Sequence, residues 1–135
     1  LAILSAAPAT AQLGSGQANI RTELVAEGPA VPGREVDLAI LMTPGEGWHG
    51  YWQNPGDAGK PMDVAWDLPA GAQVGELRYP LPTRLTIAGL MNYVFKGPFA
   101  VLVRLKVPEG ATGTLPIRAD LQYLACTDKI CVPER

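Results

Sequence analysis

Apolar residues recur at every second position along much of this chain, and that alternation restricts it to half-buried β-strands. In residues 18–26, Ala18, Ile20, Leu24 and Ala26 alternate with Asn19, Arg21 and Glu23. In 36–42 the inward set is Val36, Leu38, Ile40 and Met42. In 99–107 it is Phe99, Val101, Val103, Leu105 and Val107, with Arg104 and Lys106 opposite. In 115–123 it is Leu115, Ile117, Ala119, Leu121 and Tyr123, opposite Arg118, Asp120 and Gln122. Shorter strands are expected over 48–52, 62–67 and 74–79. The 15 glycines and 13 prolines are scattered between these runs as turn signals, in "EGPAVPG", "TPGEG", "NPGDAGKP", "LPAGA", "YPLP" and "PEGATG". No segment shows a 3.6-residue period with caps. About seven short strands joined by such turns predict an all-β chain: an antiparallel β-sandwich, immunoglobulin-like in size. The Cys…Trp…Cys framework of immunoglobulin domains is absent, because the two cysteines are too close to bridge two sheets.

At 135 residues the natural prior is one domain, and 47% hydrophobic residues suffice for one core. A net charge of −2 gives no reason to expect a nucleic-acid partner. There are no repeats, and the glycines at 45 and 47 precede no helix, which argues against a phosphate-binding loop. The opening "LAILSAAPATAQ" is apolar and small and contains an A-x-A pattern at Ala9–Ala11. Residues 1–11 therefore read as the remnant of a secretory signal peptide, with the domain occupying 12–135 outside the cytoplasm. There a disulfide can form and persist. No run of 18 apolar residues is present to cross a membrane. The chain is expected to be a piece of a larger protein.

The only cysteines are Cys126 and Cys131, in "LQYLACTDKICVPE". Four chemistries compete for them. A zinc shell would need His49, the only histidine, and carboxylates such as Asp128. Copper(I) could add Met42, Met62 and Met91 to His49, although a methionine at core parity is more often packing. A structural staple across so short a loop contributes about 2 kcal/mol in the chain-entropy model. A redox couple fits better. Extending strand parity puts Arg118, Asp120, Gln122, Leu124 and Cys126 on the polar face. Cys126 is thus expected to point away from the core, within reach of another protein, and Cys131 to return across "TDKI". Such a pair can pass between dithiol and disulfide without refolding the domain. Lys129 favours a thiolate and Asp128 opposes it.

Four motifs in order, "GWHGYWQNPGDAGKP", "WDLPAG", "NYVFKG" and "LACTDKICVPE", resemble the N-terminal periplasmic domain of the DsbD family of thiol:disulfide interchange proteins, in particular its ScsB-like branch. The resemblance covers roughly residues 20–135. It implies an immunoglobulin-like sandwich with the cysteine pair in a strand–loop–strand at one end, acting as a protein-disulfide reductase without a cofactor or metal. It implies a membrane-embedded full-length protein on the periplasmic side of the bacterial inner membrane, with roles in copper tolerance or cytochrome c biogenesis. The electron donor would be a thioredoxin-like domain of the same protein. The acceptors would be periplasmic thioredoxin-like or disulfide-isomerase proteins. Cys131 takes the nucleophile's place and Cys126 the resolving one. By order, "MNYVFKG" falls where the family has a cap loop, making Tyr93 and Phe95 the cap residues, with Asn92 and Tyr51 lining the site. Alternatives are a non-catalytic β-sandwich binding module with a structural disulfide, and a copper(I)-binding domain. The chain departs from the pattern in having four residues between the cysteines where well-studied members have five. It also stops where a second hairpin strand should run, so the sandwich would lack an edge partner beside the site.

Trp48 and Trp66 are expected in the core, Tyr93 and Phe95 in a loop, and "NPGDAGKP" as a turn-rich loop with an Asx-turn at Asp57.

Overall fold

A computed structural model describes residues 17–135; the expected signal remnant lies outside the described residues. The strands are β1 (Ile20–Ala26), β2 (Glu35–Pro44), β3 (Gly50–Gly56), β4 (Asp63–Asp67), β5 (Gln73–Val74), β6 (Thr83–Ile87), β7 (Leu90–Phe95), β8 (Phe99–Lys106), β9 (Arg118–Cys126) and β10 (Cys131–Glu134). All pairings are antiparallel. They form three sheets, ordered β1-β2-β8-β5, β10-β9-β4 and β3-β7-β6.

The first two sheets make the immunoglobulin-like sandwich. Ile20, Ile40, Met42 and Val101 from one meet Tyr123 and Ala125 from the other. Leu38, Val103, Leu105 and Val107 continue the core, with Trp66 packed against both parts and Trp48 against the first. These are the alternating sets expected from the sequence. Each such aliphatic side chain contributes about 1.5–3 kcal/mol on burial.

Two expected strands are shorter than their alternation suggests. The 74–79 segment follows β8 only intermittently, through β5 and an isolated bridge between Arg78 and Leu102, while Leu77 packs into the core. Leu115 and Ile117 pack against the core, but the strand starts at Arg118. Buried apolar side chains thus give the period-two signal without a continuous hydrogen-bond ladder.

The second hairpin strand does run beside the cysteines. β10 pairs with β9 from Cys131↔Cys126 to Glu134↔Tyr123, so the expected gap at this edge is not there. The Glu134 carboxylate accepts from Asn19 N (2.7 Å) and Ile20 N (3.2 Å), and the Tyr123 hydroxyl donates to Ile20 O (2.9 Å). Three hydrogen bonds therefore tie the β9–β10 hairpin to the start of β1.

The third sheet was the least legible. Tyr93 and Phe95 lie not in a loop but in β7, paired with both β3 and β6. The chain reverses between Ile87 and Leu90 through Ala88 (φ 50°) and Gly89 (φ 80°), the conformation of a two-residue primed hairpin turn. Between β3 and β7 the register jumps from Tyr51↔Val94 to Gly56↔Asn92, so four residues of β3 bulge opposite Tyr93 alone. A Cβ on Gly56 (φ +89°) would lie 2.4 Å from Met91 O, so only glycine closes this bulge. The Asx-turn belongs to Asn54, whose Oδ1 accepts from Gly56 N, and not to Asp57. Asp57 is engaged across the sheet: its N–H donates to Met91 O (2.8 Å) and its carboxylate accepts from Met91 N (2.9 Å).

Candidate active site

Cys126 ends β9, Cys131 begins β10, and the two are disulfide-bonded with Cα atoms 4.1 Å apart. They are direct register partners, at the close spacing of non-hydrogen-bonded antiparallel pairs. The loop between them is locally determined. Thr127 N donates to Ile130 O, and Thr127 Oγ1 accepts from both Lys129 N and Ile130 N (3.1 Å each). A threonine closing its own turn lets four residues suffice between the cysteines.

The two cysteines differ sharply in access. Cys126 is 0% exposed, whereas Cys131 is exposed. Strand parity does place Cys126 on the face opposite Tyr123, but the expectation that this face meets solvent is wrong at its end. The β3-β7-β6 sheet covers it there: Cys126 packs with Tyr51 and Val94, against Leu85 and Leu124. The same face at Arg118, Asp120 and Gln122 has no such cover and carries polar residues.

On its other edge Cys126 meets His49. His49 N donates to Cys126 O (2.8 Å) and Cys126 N to His49 O (3.1 Å). His49, Cys126 and Cys131 therefore stand in one row, joined by an isolated bridge just ahead of β3 and by the β9–β10 pairing. Directly opposed residues project to the same face with Cβ atoms about 5 Å apart. His49 is 3% exposed, and its Nε2 lies 3.4 Å from the Tyr51 hydroxyl, ring edge toward ring face. Burial, and secondarily Lys96, push the His49 imidazole below the ordinary histidine value against the opposing pull of Asp128. Burial pushes the Tyr51 hydroxyl up. Both groups are accordingly neutral at neutral pH. Tyr51 is held from behind by Gly59, where a Cβ would come within 2.3 Å of the ring.

A recess of about 190 Å³ opens beside Cys131, lined by Tyr51, Asn92, the hairpin-tip residues Ile87, Ala88 and Leu90, and the Thr127–Ile130 loop. The structure thus brings Cys126, Cys131, Tyr51 and Asn92 together. Asn92 is 1% exposed and its amide donates to Leu85 O and Leu90 O, bracing the hairpin. Tyr93 and Phe95 are elsewhere. Tyr93 packs edge-on against Trp52, and Phe95 stacks between Tyr79 and Phe99. Residues bordering Cys131 that sequence reading missed are Ile87, Ala88 and Leu90; the available signal was "AG" between two alternating runs. His49 was weighed only as a metal ligand, although its two-residue offset from Tyr51 already put both on one face.

The copper set is not assembled around one point. Met42 and Met62 are in the sandwich core, while His49 borders a separate recess with Lys96 and Asp128. Among the described residues, no three or more His, Cys, Asp and Glu side chains cluster as a metal site.

A cross-strand cysteine pair at the end of a β-sandwich, one residue open and the other held enclosed beside it, meets the geometric needs of thiol–disulfide exchange. The family model for thiol:disulfide interchange protein DsbD, N-terminal, matches residues 21–135, and the chain belongs to that family. Among solved structures, the fold is similar to the crystal structure of the N-terminal periplasmic domain of ScsB from Proteus mirabilis. The TM-score is 0.62 at 18% identity, covering 86% of this chain and 43% of that one. This chain thus spans less than half the length of that structure's chain. No curated protein sequence matches it.

Proposed function

We propose that this domain is a periplasmic electron carrier of a membrane-embedded protein. It would take electrons from a membrane-linked thioredoxin-like donor and deliver them to oxidised periplasmic proteins through Cys126 and Cys131. The observation that carries this reading is the asymmetry of the pair: an incoming sulfur can reach Cys131, and cannot reach Cys126.

In the reduced domain the Cys131 thiolate attacks one sulfur of a partner disulfide. The partner's S–S bond breaks, a mixed disulfide forms at Cys131, and the partner's other sulfur leaves as a thiolate. Cys126, held 4.1 Å away between Cα atoms, then attacks Cys131 Sγ. The intramolecular disulfide closes and the second partner sulfur is released. Two electrons have moved to the partner, whose sulfurs take up two protons. Running the same steps in reverse with a dithiol donor reloads the domain.

The test is trapping. Cys126→Ala should accumulate a stoichiometric mixed disulfide with an oxidised thioredoxin-like protein, and Cys131→Ala should not. Equal trapping by both variants, or by neither, would overturn the assignment. A domain whose Cys126/Cys131 double substitution leaves cellular thiol exchange intact would be a binding module instead.

A further inference from the structure

Cys126 must lose a proton before it can attack, yet it is sealed from water. A thiol in apolar surroundings is a poor acid, so the exchange cycle needs an internal acceptor. Among the described residues, the groups available are few. Tyr51 packs on Cys126 from β3, and His49 is its cross-strand neighbour on the same face. Lys96, just after β7, and Asp128, in the cysteine loop, line a recess with His49 and act on it electrostatically. Lys96 is a cation and accepts nothing. Asp128 is exposed. That leaves the imidazole and the hydroxyl 3.4 Å from it.

We propose that the His49–Tyr51 pair accepts the proton of Cys126 when that buried thiol resolves the mixed disulfide at Cys131. This rests on the exchange reading above. The step balances. Cys126 S–H gives its proton to the pair, leaving an imidazolium and a thiolate. The thiolate forms the bond to Cys131 Sγ as the bond from Cys131 to the partner sulfur breaks. The departing partner thiolate is then protonated by the imidazolium or by water. When a dithiol donor reduces the domain, the pair returns a proton to Cys126. Two neighbouring recesses serve the two traffics. The partner approaches through the recess beside Cys131. His49 borders a second recess of about 450 Å³ with Trp48, Leu85, Lys96 and Asp128, the last of which lines both, and this gives its proton a way to solvent. Tyr51 remains neutral at both ends of the step, held against Cys126 by Gly59 behind its ring.

The experiment uses the reduced domain and a small chromogenic aromatic disulfide, so no protein partner is needed. The reagent-dependent first phase reports attack by Cys131. The following phase, independent of reagent concentration, reports attack by Cys126. The wild-type second phase should rise with pH through an inflection below the ordinary histidine value of about 6.5 and then level off. His49→Gln should slow that phase about tenfold or more at pH 7 and abolish the inflection, leaving a rise only as the thiol itself ionises. Its first phase should be unchanged. Tyr51→Phe, which keeps the ring on Cys126 and removes the hydroxyl, should slow the second phase and move the inflection. A second phase with the same rate and pH profile in His49→Gln overturns the proposal. If His49→Gln does not fold, a wild-type profile without the low-pH inflection overturns it equally. A domain that shows no first phase at all fails the exchange reading instead, and the proton route falls with it.

Discussion

The body of the sandwich and its cysteine-bearing end are built to different standards. In the body, two sheets bury Ile20, Ile40, Val101, Val103 and Val107 at 1% exposure or less, and the buried Tyr123 hydroxyl beside them is hydrogen-bonded. At the end, a small cluster of Tyr51, Val94 and Cys126 closes over a reactive sulfur with a histidine beside it. It depends on a four-residue bulge, two glycines at positive φ and an asparagine whose Oδ1 has no hydrogen-bond partner. The body gains stability from apolar area. The end holds polar and strained parts that cost stability and give the sulfur a defined environment.

The contrast predicts that substitutions in the two regions separate stability from exchange. Ile40→Ala should have the largest effect on stability, about 3 kcal/mol by denaturant titration, because it opens a cavity at a site that cannot collapse. Both phases of exchange in the folded fraction should be unaltered. Gly59→Ala should cost about 2 kcal/mol, from the left-handed backbone and the contact with Tyr51, and it should also change the Cys126 phase by displacing that ring. If Ile40→Ala altered exchange as much as Gly59→Ala, the two regions would not be separable.

The same contrast governs what the sequence could reveal. Body strands are legible because one face is buried along their whole length, so Val101, Val103 and Leu105 write the period directly. At the end, a strand changes cover partway. Leu124 and Cys126 share a face with Asp120 and Gln122, but a third sheet lies over only the former pair. Parity assigns the face and cannot say what covers it. The β6–β7 hairpin escaped notice for a related reason. "LMNYVF" alternates, but Tyr93 on its outer positions is as large as the residues within, so amphipathicity is weak. The cysteine pairing was legible from spacing and family resemblance. The row from His49 through Cys126 to Cys131 was not, because it joins residues 77 positions apart in sequence across a β-bridge.

Opening the disulfide should show how much the end leans on it. The bridge closes a short loop, and Cys131 is already beside Cys126 through the hairpin register and the Thr127 turn. Reduction should therefore lower stability by about 2 kcal/mol or less. The far-UV spectrum and the tie of Glu134 to β1 should persist. A much larger loss would mean that the end is held by the covalent bond and not by its packing, and would count against reversible cycling.

The smallest effect separates surface charge in the body from the buried site charge. Asp37, on β2, accepts from Arg78 (2.8 Å) and Arg104 (3.4 Å), and the Arg78 hydrogen bond leads in holding its carboxyl below the ordinary carboxylate range. A carboxyl depressed in the folded state adds stability above its ordinary pKa. That contribution disappears as the pH falls through the lower, folded value. Asp37→Asn should thus be slightly less stable than wild type at pH 7 and indistinguishable from it near pH 2. The pair is open to solvent, so the difference at pH 7 should also shrink in 1 M salt. Exchange through Cys126 should follow pH through a different group and depend less on salt. Its inflection arises at His49, whose shift is caused first by burial and only secondarily by Lys96 and Asp128, so it should move less with salt than the Asp37 contribution does. An inflection that moved with salt as the Asp37 contribution does would place the responsible group at the surface, and the distinction between the two regions would fail at the site itself.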